Sequence, residues 1–318
     1  MRSGFIAELT NIAETDRRIL LLTADLGYRV LEPFAERFPD RFLNVGVAEQ
    51  NMLGMATGLA EAGFIPFVYS ISTFVSMRAY EFLRNGPVLH RLPVRVIGIG
   101  GGFDYGSNGP SHHALEDIGL LRLQPALRLI VPADIPQARA ALRATFDGPD
   151  PVYYRLSKDD RGLIPGLNGR FEMEAPIVIH EGASDLLLAL GACAVDALAA
   201  VETLAGEGIR PALAVASSLG LLPTVALRQL LSRFAAVVTV ENHYVAGGLG
   251  SLVAEAIAED QMDCRLVRCG IRNMPSGRSG SRDYLNREHG IDCLSIAAAV
   301  RRAASLRERS SDPVRFTR

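Results

Sequence analysis

The chain has 318 residues, of which 48% are hydrophobic and 21% are charged, and its net charge is -2 at pH 7. This balance is typical of a globular protein, excludes a disordered or fibrous chain, and lacks the basic excess of nucleic-acid-binding proteins. The length suits two domains of roughly 150 residues, each able to bury its own core.

The N-terminal stretch MRSGFIAELTNIAETDRR carries acids and lacks the apolar centre of a signal peptide. No run of the sequence approaches the roughly 18 uninterrupted apolar residues of a transmembrane helix. We therefore expect a cytoplasmic protein without membrane contact.

The first half of the chain alternates short apolar runs with helix-like segments. Short apolar strands alternating with helices predict a parallel sheet covered on both faces, and hence a doubly wound α/β domain over residues 1–160. In chain order the segments are RILLLTAD, RFLNVG, a helix from about Ala48 to Ala62, IPFVYS, a helix from about Thr73 to Leu89, PVRVIGIG, a loop, ALEDIGLLRL, LRLIVPAD, a helix over PQARAALRATF, and PVYYRL.

Residues 161–176 are polar and rich in glycine and proline, which predicts an interdomain linker. The alternation then restarts and predicts a second, smaller α/β domain over residues 177–318. Its tail, Arg301 to Arg318, holds six arginines among few apolar residues, as is typical of a solvated helix end. The second-domain segments are SDLLLALG, VDALAAVETLAGEG, IRPALAVAS, PTVALRQLLSRF, AAVVTVEN, GSLVAEAIAE and CRLVRCG.

The four cysteines all lie in the second half, and none forms a CxxC motif. We expect them to be buried free thiols, and we expect no metal ligands in this chain. They are Cys193, Cys264, Cys269 and Cys293.

Glu49 stands where the apolar run RFLNVG meets a helix with an apolar stripe at three-to-four spacing. Ligands of open parallel sheets bind at the carboxyl ends of strands, where such a residue lies. An acid in the first turn of a helix also stabilises the helix dipole by several tenths of a kcal/mol. On spacing alone the dipole role is the commoner explanation of Glu49.

The loop GGGFDYGSNGPSHHALED follows PVRVIGIG and holds five glycines between Gly100 and Gly109, then His112 and His113. Glycines permit close backbone approach to a ligand, and histidines titrate near neutrality. Paired histidines in a loop are by themselves more often exposed than catalytic. Neither this loop nor AGGLGS completes a GxGxxG motif, and there is no P-loop, so a nucleotide phosphate site is not indicated.

These residues carry a family resemblance. NVGVAEQNM, GLAEAGFIPFVYSISTF, RAYEFLRN, NGPSHHALEDIGLLRLQP and VPAD, in this order and spacing, resemble the pyrimidine-binding domain of the transketolase family of thiamin diphosphate enzymes. TVENHYVAGGLGS and SGSRDYLNREHGI resemble that family's C-terminal domain. The resemblance implies two doubly wound α/β domains, a pyrimidine-binding domain followed by a smaller C-terminal domain.

The family's remaining domain binds the diphosphate and Mg²⁺ through a GDG motif, which this chain lacks. Its nearest approach is FDGPD at 146–150. The chain therefore resembles the C-terminal subunit of a split transketolase. This implies a separate N-terminal subunit with the GDG site and the Mg²⁺ ligands, in an assembly with two copies of each subunit.

The resemblance assigns cofactor contacts. It gives Glu49 the role of hydrogen-bonding the aminopyrimidine ring of thiamin diphosphate, which activates the cofactor. Phe74 is similar to the family's stacking phenylalanine, with Ile71 and Met77 flanking it where relatives often have aromatics. Asp25, in TADLG, is similar to an aspartate near the cofactor across the dimer interface, and a helix N-cap is its alternative role.

The resemblance also assigns substrate contacts. His112 is similar to the active-site histidine of the family, and His113 is a weaker candidate for the same pocket. Relatives have an aspartate where this chain has Asn108, and a phosphate-binding histidine where it has Gly100.

The family's phosphate-binding arginine is matched by Lys158, a point charge rather than a bidentate fork. Together with Asn108 and Gly100 this implies an unusual or unphosphorylated substrate. The candidate anion contacts are Arg29, Arg155 and Lys158.

The implied activity is transfer of a two-carbon ketol or acyl unit from a ketose-type donor to an aldehyde. Alternatives within enzymes are the beta subunit of a 2-oxoacid dehydrogenase and a deoxyxylulose phosphate synthase fragment. The closing DYL motif, NGPSHHALED and RAYEFLRN favour transketolase. The alternative outside enzymes is a noncatalytic α/β regulatory partner, in which Glu49 only begins a helix.

Overall fold

The computed structural model describes residues 1–183, 185–275 and 277–311, with residues 306–311 described by backbone alone. Two sheets, of seven and five strands, carry helices on their faces. The strands are β1 Ile19–Thr23, β2 Phe42–Asn44, β3 Ile65–Ile71, β4 Arg95–Ile99, β5 Arg128–Ile130, β6 Val152–Leu156, β7 Ile177–His180, β8 Asp185–Leu190, β9 Ala212–Ala216, β10 Ser218–Leu219, β11 Ala236–Tyr244 and β12 Arg265–Ile271.

The α-helices cover the predicted helical segments. Tighter 3-10 turns occur at Pro39–Arg41, Gly106–Asn108, Pro110–His112 and Gly191–Cys193, and wider π-helical turns at Phe74–Arg78 and Arg84–Val88. The helices are α1 Arg2–Thr15, α2 Glu32–Arg37, α3 Glu49–Glu61, α4 Tyr80–Leu83, α5 Asp117–Arg122, α6 Ile135–Thr145, α7 Ala194–Ala205, α8 Val225–Leu231, α9 Leu249–Glu259, α10 Arg282–Glu288 and α11 Cys293–Ser311.

The first sheet has the order β10-β5-β6-β4-β3-β1-β2. The pairs among β1 to β6 are parallel, and β1, β4 and β6 are buried along their whole length because helices cover both faces. Their carboxyl ends therefore meet at one edge of the sheet. Strand β10, from the second half of the chain, adds to β5 in antiparallel fashion.

The second sheet has the order β12-β11-β8-β9-β7, in which only the β7–β9 pair is antiparallel. The predicted fold class, two α/β domains on mostly parallel sheets, is confirmed. One apolar cluster includes Leu129 of β5, Leu219 of β10 and Leu252 of α9. The two sheets therefore share a continuous buried core.

The predicted helix from Thr73 to Leu89 is interrupted. It consists of the π-helical turn Phe74–Arg78, helix α4, and a second π-helical turn that contains Pro87. Proline has no N–H to donate, and Gly86 lies so close to Thr57 that an added Cβ would be 2.4 Å from the Thr57 hydroxyl. Wide turns of this kind are frequent at functional sites.

The FDGPD segment at 146–150 is a structural loop. The buried Arg95 guanidinium donates hydrogen bonds to the carbonyl oxygens of Phe146 at 2.8 Å, Asp150 at 2.6 Å, and Gly148. Burial lowers the pKa of Arg95. The glycine and aspartate of FDGPD thus belong to a turn that Arg95 holds closed.

The segment between the two predicted domains is bonded on both sides. Arg161 pairs with Asp196 of α7 at 3.0 Å, and the Ile164 N–H donates to Asp134 at 3.0 Å. The boundaries at 160 and 177 stay a prediction. The arginine-rich tail is helical to Ser311, and its last residues, 312–318, lie outside the described residues.

Three of the four cysteines are buried, as predicted, and Cys293 is half-buried. Burial raises the pKa of Cys193 to about 12 and that of Cys264 and Cys269 to about 11. Within the described part of the chain, no helix is both long enough and apolar enough to cross a membrane.

Candidate active site

Glu49 is the first residue of α3 and lies at the carboxyl edge of the first sheet. Its side chain is 2% exposed. The Ser70 hydroxyl of β3 donates to Oε1 at 3.0 Å, and the Arg78 guanidinium lies 3.3 Å from Oε2. Among the described residues these are the partners of the carboxylate, which leaves acceptor positions for a ligand.

A pocket of about 220 Å³ opens at this carboxylate. It is lined by Val47, Ala48, Glu49, Gln50 and Arg78. Val47, on the wall of this pocket, is 71% exposed, so the pocket opens to solvent on that side.

Hydrogen bonds of Asn44 hold the turn over residues 44–46, which leads into Glu49. Its side-chain oxygen accepts from the backbone N–H groups of Asp25 and Gly46, both at 3.1 Å, and its amide donates to the Asp25 carboxylate at 2.9 Å. Gly46 has φ +72°, a conformation that favours glycine. Asp25 therefore joins β1 to β2 and is not a helix N-cap, since the next helix begins at Glu32.

Three of the predicted site residues are connected by a series of contacts that includes Arg78. The Arg78 guanidinium carbon is 4.0 Å from the centroid of the Phe74 ring, and the Phe74 ring meets the His112 ring edge-on at 5.1 Å. The structure thus brings Glu49, Phe74 and His112 together through Arg78. Arg78 was not among the site residues predicted from the sequence, although its position four residues after Phe74 was a usable signal.

Ile71 and Met77 stand three residues before and after Phe74 in the sequence. Ile71 ends β3 and is half-buried, whereas Met77 is exposed. Their contact with a cofactor ring stays a prediction.

We call residues 100–116, between β4 and α5, the histidine loop. His112 contacts Phe74 and Tyr105, and its Nδ1 lies 3.0 Å from the Ser111 hydroxyl. His113 is buried, with its ring perpendicular to Phe103 at 5.0 Å, and its Nδ1 has no hydrogen-bond partner among the residues that the structure describes. Burial lowers the pKa of His113, so the neutral ring is favoured.

Tyr105 connects His112 to Lys158. The rings of Tyr105 and His112 are 6.4 Å apart, and the Lys158 ammonium lies 4.8 Å from the centroid of Tyr105. Gly100 has φ +79°, and a Cβ there would be 2.3 Å from the Tyr105 ring. Tyr105 therefore fills the space beside Gly100. Lys158 is the only lysine of the sequence.

Arg155 is fully engaged inside the protein. Its guanidinium donates to the Asp117 carboxylate at 2.8 and 3.1 Å, to the Ala114 carbonyl at 2.8 Å and to the Asn242 side chain at 2.5 Å. With its side chain 2% exposed, it has no surface to offer an anion. We therefore leave Arg155 out of the site and assign it to the joint between the domains.

Asn108 and Arg29 are exposed. Asn108 ends a 3-10 turn in the histidine loop and accepts a 3.4 Å hydrogen bond from Ser107. The Arg29 backbone N–H donates to Glu32 at 2.8 Å, and its guanidinium lies over Tyr28. None of these described contacts joins Arg29 to Glu49 or His112.

No cluster of three or more histidine, cysteine or acidic side chains that could hold a metal occurs among the residues the structure describes. The assembled features are a buried carboxylate, an aromatic ring, a histidine and a lysine along one edge of the sheet. Such a set can bind a flat polar ring and move a proton.

Both halves of the chain match models of known protein families. Residues 1–162 match the family model for the transketolase pyrimidine binding domain, and residues 174–296 match that for the transketolase C-terminal domain. The chain is 35% identical over 303 residues to a putative transketolase C-terminal section of Methanocaldococcus jannaschii, covering 94% of this chain and 95% of that protein.

It is 33% identical over 301 residues to the 6-deoxy-6-sulfo-D-fructose transketolase subunit SqwH of Clostridium sp. strain MSTE9, covering 94% and 93% of the two chains. Among solved structures, a split gene transketolase in an inactive beta4 tetramer superposes with a TM-score of 0.84 at 33% identity, over 96% of this chain and 98% of that one. Each match spans nearly the full length of both chains.

Proposed function

The chain belongs to the transketolase family, and on that premise we propose that it is the C-terminal subunit of a split, thiamin-diphosphate-dependent transketolase-like enzyme. The enzyme transfers a two-carbon ketol or acyl unit from a ketose-type donor to an aldehyde acceptor. The observation that carries the proposal is the buried carboxylate of Glu49, which borders a pocket and is linked through Arg78 to Phe74 and His112.

The residues at the edge of the sheet fit the aminopyrimidine ring of thiamin diphosphate. Glu49 would hydrogen-bond a ring nitrogen, while Ser70 and Arg78 keep its carboxylate in place. Phe74 would offer the face of its ring that lies away from Arg78 for offset stacking, with Ile71 and Met77 as further contacts of the cofactor ring. When bound, thiamin diphosphate supplies the stabilisation of a carbanion.

The protein's own contribution to the chemistry is positioning and proton transfer. Glu49 would hold or release a proton at the ring nitrogen, and a placed proton-transfer group is typically worth about 100 to 10,000-fold in rate. His112 would face the reacting carbonyl and hydroxyl groups of the substrate, and the buried neutral ring of His113 would support the same wall of the pocket. Asp25, held by Asn44, would lie near the cofactor across the dimer interface.

The donor is an unusual ketose in this proposal. Tyr105 fills the space beside Gly100, where relatives have a phosphate-binding histidine. Lys158 lies beside Tyr105, and its ammonium would pair with an anionic end group that does not require a bidentate fork. A sulfonate, as in the name of the Clostridium relative, is one such group. Asn108 would contact a donor hydroxyl.

A second subunit is part of the proposal. The sequence has no GDG motif, so the diphosphate and Mg²⁺ would be held by an N-terminal subunit, with two copies of each subunit in the assembly. The full-length match to a C-terminal section, and to a chain whose tetramer is named inactive, supports this division. The relatives' names favour transketolase over the 2-oxoacid dehydrogenase alternative.

The test is to purify this chain alone and together with the protein encoded beside it. Calorimetry would measure thiamin diphosphate and Mg²⁺ binding, and a panel of ketose donors with an aldehyde acceptor would measure ketol transfer. We expect the chain alone to bind thiamin diphosphate weakly and to show no turnover. We expect the complex both to bind the cofactor and to transfer the ketol unit. Tight binding by the chain alone would contradict the split site, and a loaded complex inactive on every donor would contradict transketolase.

A further inference from the structure

The histidine loop has a fixed base and a projecting tip. At the base, Gly102 and Ala114 exchange two backbone hydrogen bonds of 2.8 and 3.0 Å. The tip, residues 103–113, projects beyond this closure and carries both histidines. Its position therefore depends on what packs against it.

The second domain packs against the tip at Gly106. The Gly280 N–H donates to the Gly106 carbonyl at 3.2 Å. A Cβ on Gly106 would lie 2.6 Å from the Gly280 carbonyl oxygen and 2.7 Å from Leu285 of α10. The two backbones therefore meet at a distance that only glycine allows.

A charge pair fixes the same contact. The guanidinium of Arg282, the first residue of α10, lies 3.3 Å from Asp104 Oδ1. The backbone N–H of Lys158 donates to Asp104 Oδ2 at 2.9 Å. The Asp104 side chain is 3% exposed, so it is largely removed from water. Arg282 also lies 3.3 Å from the exposed Asp283. Asp104 thus bridges the substrate-binding Lys158 segment and the second domain.

An aromatic contact runs beside the charge pair. The buried Phe103 ring stacks on His289 at 5.1 Å and meets His113 edge-on at 5.0 Å. Phe103 is therefore held between a histidine of the loop and a histidine of the second domain. Any shift of His289 changes the packing of Phe103, and with it the packing of His113.

We infer that Arg282 and His289 are positioning residues, through which the second domain sets the place of His112 and His113 in the proposed active site. The inference rests on the proposed function of the histidine loop. It gives the second domain a part in the reaction although Arg282 and His289 contact the loop and not the pocket at Glu49.

The test compares Arg282→Ala, Arg282→Lys and Arg278→Ala in the assembled complex. Arg278 is the matched control, because it lies in the same segment and pairs with Glu288 at 2.8 Å without contacting the loop. We expect Arg282→Ala to lower kcat about tenfold to a hundredfold, the loss that a small misplacement of a reacting group produces. The half-saturating thiamin diphosphate concentration should stay unchanged, and Arg282→Lys should recover most of the lost kcat.

A readout without turnover keeps the inference separate from the proposed function. Diethyl pyrocarbonate labels exposed histidine rings, and mass spectrometry measures the rate at each site in the full chain. We expect Arg282→Ala to speed labelling of the buried His113 several-fold, while His90 and His180 keep their rates. Arg278→Ala should leave the His113 labelling rate unchanged.

Unchanged kcat together with unchanged His113 labelling in Arg282→Ala would overturn the inference. An equal loss of kcat in Arg282→Lys and Arg282→Ala, with His113 labelled as in the wild type, would also overturn it. If the wild-type complex transfers no ketol unit, the proposed function fails, and the labelling rate of His113 alone decides whether the second domain positions the loop.

The aromatic contact has its own pair of variants. His289→Phe keeps a ring to stack on Phe103, and His289→Ala removes it. We expect faster labelling of His113 in His289→Ala and a wild-type rate in His289→Phe. Equal rates in the two variants would remove His289 from the inference.

Discussion

Two acids begin helices at or beside the same edge of the first sheet, and each faces an arginine. Glu49 begins α3 and faces Arg78, whereas Asp117 begins α5 and faces Arg155. Their sequence contexts are alike, an acid in a first helical turn after a glycine-containing segment. Their surroundings differ, and the difference separates a site from a support.

The Glu49 pair is open. Arg78 makes one contact with the carboxylate, at 3.3 Å, and its side chain is 49% exposed. The Asp117 pair is closed, since the carboxylate also accepts from the Tyr153 hydroxyl at 2.8 Å and from two nitrogens of Arg155. An open carboxylate can accept a ligand, and a closed one only holds the protein together.

Replacing Glu49 should give the largest loss of activity. In the assembled complex we expect Glu49→Gln to lower turnover by about 100 to 10,000-fold, because an amide cannot exchange the proton of a carboxyl group. Thiamin diphosphate binding, measured by calorimetry, should be largely retained, since the amide still hydrogen-bonds.

Glu61→Gln is the control for Glu49, because Glu61 lies at the other end of α3 and is exposed. Its turnover should equal that of the wild type. Near-normal turnover in Glu49→Gln would reduce Glu49 to a helix-start residue.

Breaking the closed pair should instead cost stability. Arg155→Met leaves Asp117 buried without its cation, and removing one partner of a buried pair typically costs about 3–5 kcal/mol. Chemical denaturation of the chain would measure the free energy of unfolding. Arg301→Met removes an equally bidentate pair, with Glu207, at an exposed position, and should leave stability nearly unchanged. A similar small loss in Arg155→Met would mean that the pair is not a structural joint.

Local pattern predicted the placement of Glu49 but not its partners. The helix expected from about Ala48 is observed from Glu49, because a three-to-four apolar spacing is a property of neighbouring residues. Arg78 lies in the π-helical turn Phe74–Arg78, 29 residues after Glu49, so their contact depends on the packing of that turn against α3 and not on a local sequence pattern.

Long-range contacts explain the rest of what the sequence could not show. Arg155 was predicted to be an anion contact, but its guanidinium is buried among protein partners. One of these partners, Asn242, lies 87 residues away, and β10 crosses into the first sheet from the second half of the chain. Neither contact leaves a local trace in composition or spacing.

The aromatic neighbour of the open pair can be tested next. Phe74→Ala removes the proposed stacking surface, and such a contact is worth about 0.5–1.5 kcal/mol beyond its buried area. We expect the complex to bind thiamin diphosphate roughly tenfold more weakly, measured by calorimetry, with Mg²⁺ saturating. Phe64→Ala, at the opposite end of β3, should bind the cofactor as the wild type does. Unchanged affinity in Phe74→Ala would leave Phe74 as a core residue.

The smallest expected effect falls on the cation of the open pair. Arg78→Ala should lower the free energy of unfolding by less than Arg155→Met does, because the Arg78 side chain is 49% exposed and makes one contact with the buried Glu49 carboxylate. The Ser70 hydroxyl still donates to Glu49, and the pocket lets water replace the lost guanidinium. Denaturation alongside Arg155→Met makes the measurement direct. If both variants lose the same stability, Glu49 is as closed as Asp117, and an open carboxylate could no longer be the basis for placing the cofactor ring there.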